Sequence, residues 1–191
     1  MNLKKYLITD PNLYGSNIQE FKTNLEKTLE MHDVDFICFR DKTSENYKEL
    51  IKQFVNTCKK YKIENIFLNT YISEAKKYNV GIHLTSSQFE DIKKCKEQNL
   101  KVIVSCHTQE DINLAKKYCA DFITYSPIFE SPGKSNFKGI QNLTKTVNAN
   151  LDIKIFALGG IVTQKHIKQI LETKCFGFAS IRYFDLNKKL T

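Results

Sequence analysis

The stretch IKIFALGGI, residues 153–161, governs the reading of the chain: an apolar run stops at two adjacent glycines and gives way to a helix opening at Thr163-Gln164. A buried strand that ends in Gly159-Gly160 leaves backbone N–H groups uncovered at its tip, because only hydrogen side chains stand in front of them. Such a tip suits an anion. One helical segment later a second apolar run, residues 176–181, ends in Arg182, whose planar fork of donors is suited to close the other side of the same seat.

Outward from that pair, the chain alternates two periods. Strand-like runs fall at residues 6–9, 35–40, 65–69, 80–84, 101–105, 120–125, 153–157 and 176–180. Amphipathic segments lie between them at 17–31, 44–61, 71–78, 89–97, 109–118, 140–147 and 163–172, and a last one follows at 183–189. Thr108 with Gln109-Glu110-Asp111, and Thr43-Ser44 with Glu45, supply the caps and early acids of a helix start. Strands alternating with helices predict right-handed crossovers and a parallel sheet, and eight of them predict an α/β chain closed into a (β/α)8 barrel. The length of 191 residues leaves about 24 per unit, near the lower limit for that architecture. An open doubly wound sheet competes, but no G-x-G-x-x-G follows the first run. One domain over residues 1–191 is the expectation.

Composition narrows the classes of function. Hydrophobic residues at 41% and charged residues at 26% exclude a disordered or fibrous chain. No apolar run reaches the ~20 residues of a membrane span, and residues 1–5 lead straight into a strand-like run, so the cytoplasm is the expected location. The cysteines at 38, 58, 95, 106, 119 and 175 form no C-x-x-C pair and no zinc-spaced cluster, which points to reduced thiols and no metal site of that kind. The net charge of +8 comes from lysines spread along nearly every helical segment, without a block or an aromatic-interleaved stripe, which argues against nucleic acid. Of 29 basic residues only Arg40 and Arg182 are arginines, and both end a strand-like run. They are expected where a bidentate fork matters; the plainer alternative is that they pair with Asp41 and Asp185.

In a barrel of this kind the site lies at the carboxyl ends of the strands. The residues just past each run are Arg40 and Lys42, Asn69, Thr85 to Gln88, His107, Ser131 with Lys134, Gly159-Gly160, and Arg182. That is more positive charge than a neutral metabolite needs, and it predicts a phosphate- or pyrophosphate-bearing substrate. His107 is the candidate general acid or base, since imidazole exchanges a proton near neutral pH. Its plainer reading is a hydrogen bond to the next loop. His83 reads as a satisfied interior residue, and His32 and His166 as helix-surface residues. Tyr125 and Phe129 either wall the pocket or pack a loop.

The segments YLITDP (6–11), FRDK (39–42), IHL (82–84), VSCHT (104–108), ADFITYSPIF (120–129), SPGK (131–134) and ALGGI (157–161) resemble, in order and spacing, the thiamine phosphate synthase family, which includes the TenI-type proteins. The resemblance covers nearly the whole chain. It implies a transferase or isomerase of thiamine biosynthesis that handles a small phosphorylated thiazole and, for a synthase, a pyrimidine pyrophosphate. It also implies that Arg40, Lys42 and Lys134 face the pyrophosphate and Asn69 the pyrimidine. Gly159, Gly160, Ile181 and Arg182 would face the thiazole phosphate, with His107 beside the reacting pair. A homo-oligomer is compatible with it.

The departures concern the metal. The synthase uses magnesium, held by an Asn-Asp pair after the third strand and an acid after the fourth. Here Asn69-Thr70 and Thr85-Ser86-Ser87-Gln88 stand in those places, and Cys38 replaces a glutamine of the second-strand motif. The loop after the fourth strand is closer to TenI-type proteins, yet their tautomerase histidine falls on Pro127. The expectation is a thiazole-phosphate protein acting without a dedicated metal, with no cofactor required unless a magnesium-dependent synthase activity is retained. That divergent synthase, and a non-catalytic regulatory relative, are the alternatives.

Overall fold

The computed structural model describes residues 2–131, 133 and 136–186. Eight strands run in order: β1 (Lys4–Ile8), β2 (Phe36–Phe39), β3 (Asn65–Asn69), β4 (Gly81–Leu84), β5 (Val102–Cys106), β6 (Phe122–Tyr125), β7 (Lys154–Leu158) and β8 (Gly177–Ser180). Each pairs in parallel with its neighbours, and β1 pairs with β8 from Lys4↔Gly177 to Leu7↔Ser180, so the sheet closes into a barrel. The helices are α1 (Pro11–Tyr14), α2 (Ile18–Met31), α3 (Tyr47–Lys60), α4 (Ile72–Tyr78), α5 (Phe89–Glu97), α6 (Gln109–Lys117), α7 (Gly139–Ala149) and α8 (Gln164–Glu172). The fold is the (β/α)8 barrel that the alternation predicts.

The strands read as unbroken apolar runs because both of their faces are buried. Side chains alternate between two cores: Leu7, Ile37, Leu68 and Val104 point out toward the helices, whereas Tyr6, Cys38, Phe67 and Ile103 point into the barrel. Aromatic rings fill the amino-terminal half of the interior. Phe36 and Phe156 lie 5.0 Å apart centre to centre, Tyr6 and Phe156 5.2 Å, and Phe36 and Phe122 5.2 Å. With those rings in place, the barrel interior opens toward the carboxyl ends of the strands.

Three local readings differ from the structure. The short helix α1 lies outside the predicted segments, although Asp10 caps it by accepting from the Asn12 N–H and Pro11 occupies its first turn. Helix α3 begins at Tyr47, and Thr43 and Ser44 do not cap it. Their N–H groups instead donate to Asp41 Oδ1 at 2.9 and 3.0 Å, forming an Asx turn that delays the helix and fixes the loop carrying Lys42. Past β8 a 3-10 turn covers Arg182–Phe184 where an amphipathic helix is expected over 183–189. Tyr183 and Phe184 are adjacent and both pack on Phe178, an arrangement that a one-faced helix does not offer; residues 187–189 lie outside the described part.

Candidate active site

A cavity of about 660 Å³ opens at the carboxyl ends of the strands. Arg40, Lys42, Asn69, His107, Ser131, Gly159, Gly160, Ile181 and Arg182 all line it. The barrel thus brings these sequence-derived positions to one volume; Lys134 lies outside the described residues.

At the β7 and β8 tips the seat is made largely of backbone. Gly159 and Gly160 adopt φ of +99° and +68°, values that only glycine takes freely. A Cβ at Gly159 would meet the Pro127 backbone at 2.8 Å, and one at Gly160 would collide with the Phe129 and Glu130 backbone. The glycines therefore also let the loop after β6 dock, through Ile128 N–H donating to the Leu158 carbonyl and Phe129 N–H to the Gly159 carbonyl, each at 3.0 Å. Among the described residues, none accepts a hydrogen bond from the N–H groups of Gly160, Ile161, Ile181 or Arg182. Ser180 ties the two tips together: its Oγ donates to the Ile161 carbonyl at 2.7 Å and accepts from Tyr183 N–H at 3.0 Å. No described carboxylate lies within ion-pair distance of Arg182 or Lys42. The β7 and β8 tips thus bring N–H groups and a guanidinium that meets no described carboxylate to the lining of one cavity, the kind of groups an anion attracts.

The opposite wall is built of side chains already engaged with one another. Arg40 Nη1 lies 3.2 Å from Asp10 Oδ2, so the carboxylate it meets is Asp10 and not Asp41. Asp10 also lines the cavity and was reached by sequence only as part of the YLITDP segment; the pair spans thirty positions, beyond local pattern. Asn69 Nδ2 donates to the His83 carbonyl at 2.9 Å. His83 is neutral, because burial and then the charge of Arg40 lower its pKa to about 4. It lines the cavity floor with Ser105.

His107 is held at both ends. Its backbone N–H donates to Asp111 Oδ2 at 2.6 Å, and Asp111 with Thr108 forms the capping box that opens α6. The ring Nδ1 lies 3.0 Å from the Ser126 carbonyl and 3.3 Å from Ser126 Oγ; the carbonyl can only accept, so the shorter contact calls for the proton on Nδ1. The plainer reading of this residue holds, since the ring bonds the next loop, and the residue also lines the cavity. Tyr125 and Phe129 do not line the cavity. Tyr125 donates to Asn142 Oδ1 at 2.9 Å and Phe129 stacks on His166 at 4.1 Å, so both pack the loop, and His166 is a loop contact as well as a helix residue.

The family described as thiamine monophosphate synthase matches residues 5–184. A candidate thiamine-phosphate synthase 2 of Aquifex aeolicus is 34% identical over 185 residues, covering 94% of this chain and 96% of its own. The thiamine-phosphate synthase of Dictyoglomus turgidum is 27% identical over 193 residues, covering 93% and 85%. Among solved structures, a thiamine phosphate pyrophosphorylase from Pyrococcus furiosus superposes with a TM-score of 0.77 at 26% identity, covering 94% of this chain and 85% of that one.

Proposed function

The chain belongs to the thiamine monophosphate synthase family, and from that premise we propose that it binds a thiazole phosphate at the β7 and β8 tips and acts on it without a carboxylate-held metal. The observation that carries the reading is the contrast inside one cavity between an unpaired anion seat and a missing set of acids. Magnesium is usually held through one or two carboxylates with the substrate's own oxygens. Among its described lining residues the cavity offers one carboxylate, Asp10, with Oδ2 on Arg40 and Oδ1 on the Asn12 N–H groups, while Thr70 and the loop Thr85 to Gln88 stand where the family carries acids. No described group of three or more His, Cys, Asp or Glu side chains is placed to hold a metal ion. These residues do not fit a dedicated magnesium site, and no step is routed through one.

An isomerisation of the thiazole needs a single group that takes a proton and returns it elsewhere. His107 Nε2 would remove a ring proton and return it elsewhere, while Nδ1–H on the Ser126 carbonyl keeps the ring oriented through both steps. The phosphate seat supplies binding energy away from the reacting atoms and holds the ring in register.

A second reading, a magnesium-dependent synthase that holds its metal mainly through substrate oxygens, draws on Arg40 and Lys42 at the far wall, on a cavity of about 660 Å³, and on the names of the relatives. Incubating the protein with thiazole phosphate isomers, and separately with both synthase substrates with and without magnesium, distinguishes them. Interconversion of thiazole isomers without metal is expected. Metal-dependent release of pyrophosphate would establish the second reading instead, and tight binding with no turnover would make the protein a ligand-binding relative.

A further inference from the structure

Beneath the mouth of the barrel, four polar side chains on four different strands form a line across the interior. The Tyr6 hydroxyl lies 2.9 Å from His83 Nδ1, and His83 Nε2 lies 3.2 Å from Ser105 Oγ. Thr124 Oγ1 donates to the same Ser105 oxygen at 3.5 Å. Tyr6 is wholly buried and its O–H needs an acceptor, and two are in reach: His83 Nδ1 at 2.9 Å and the sulfur of Cys38, whose own proton goes to the Phe39 carbonyl. Of the two, the imidazole nitrogen is the stronger acceptor. A neutral imidazole carries one proton, so with Nδ1 accepting, Nε2 holds that proton and gives it to Ser105 Oγ. Ser105 then receives hydrogen bonds from two sides and keeps its own proton to give. It lines the cavity two positions before His107.

We propose that Tyr6 and His83 are positioning residues that turn the Ser105 hydroxyl toward the cavity and make it a fixed donor to a hydrogen-bond acceptor on the bound ligand. The ligand half of this inference rests on reading the cavity as a thiazole-phosphate site; the direction of the Tyr6-His83-Ser105 chain does not. A fixed tautomer removes the orientational freedom that a serine hydroxyl otherwise has, so the donor is organised before the ligand arrives.

Nitrogen NMR of the His83 ring in the ligand-free protein reads the first half directly. A protonated Nε2 and a bare Nδ1 are expected in the wild type, and a mixture of tautomers in Tyr6→Phe. Calorimetric titration with thiazole phosphate reads the second half. Tyr6→Phe and Ser105→Ala are each expected to lose about 3- to 10-fold in affinity, the span of one neutral hydrogen bond, and Tyr6→Phe should cost nothing further in the Ser105→Ala background. If Tyr6→Phe does not fold, His83→Gln, whose amide can accept from Tyr6 and donate to Ser105, should keep the affinity that His83→Leu loses. A protonated Nδ1 in the wild type, or losses that add in full in the double variant, would overturn the proposal. If no variant and no wild-type protein binds thiazole phosphate, the functional reading fails, and the ring nitrogens alone decide the direction of the chain.

Discussion

The two walls of the cavity are made of different materials. At the β7 and β8 tips the donors are backbone N–H groups, fixed by glycine dihedrals and by the docked loop, with Arg182 alone contributing charge. At the β2, β3 and β4 tips the polar groups are side chains, and they satisfy each other: Arg40 with Asp10, Asn69 with the His83 carbonyl. A site made of backbone survives substitution of most side chains around it, whereas one made of side chains is lost one residue at a time. On the reading proposed above, that is how an anion seat persists where the acids of a metal site are replaced.

The sharpest test of this contrast is Gly160→Ala. The new Cβ meets the Phe129 and Glu130 backbone at a positive φ, and a loss of about 3 kcal/mol in stability together with loss of anion binding is expected from chemical denaturation and titration. An equal change at an exposed helix position, Leu171→Ala, should leave both unchanged; if Gly160→Ala does too, the backbone seat is not the anion site. Next in size is a pH effect confined to the other wall. The folded pKa of His83 is about 4, below the ordinary value, so the unfolded chain takes up the proton first as the pH falls. Stability is then retained above pH ~6.5 and lost between ~6.5 and ~4, by about 3 kcal/mol in all. Denaturation midpoints of wild type and His83→Gln, close at pH 7, should diverge toward pH 4 as the wild type alone loses stability; parallel curves would mean His83 is not the group.

Arg182→Ala should weaken thiazole phosphate by about 10- to 100-fold, the range of one charge-assisted contact, without moving the melting temperature. Unchanged binding would place the phosphate elsewhere. The smallest effect belongs to Asp10→Asn. Asparagine keeps the helix cap but frees Arg40, so pyrophosphate should bind a few-fold more tightly while thiazole phosphate is unaffected. Weaker pyrophosphate binding in this variant would mean that Asp10 orients Arg40 for the ligand and does not restrain it.

What was legible in the sequence follows from where the signal resides. Strands buried on both faces announce themselves as apolar runs, and every one of the eight was placed within two residues of its observed start. Helix α1, four residues long, is too short to show a period, and only Asp10-Pro11 marks it. The sequence offers Asp41 next door as a partner for Arg40, but Asp41 is occupied with its own turn and the carboxylate that meets Arg40 is Asp10, thirty positions earlier. The sequence marks Gly159-Gly160 as bare backbone; the room they leave for the loop after β6 depends on residues some thirty positions away that local pattern does not reveal.

The interlocked rings of Tyr6, Phe36, Phe122 and Phe156 have a kinetic implication. They stopper one end of the barrel, so whatever enters must depart by the doorway it came through. A chemistry yielding two fragments would have to discharge them one after the other, the outer before the inner, and a molecule lingering at the threshold would act as a brake on turnover.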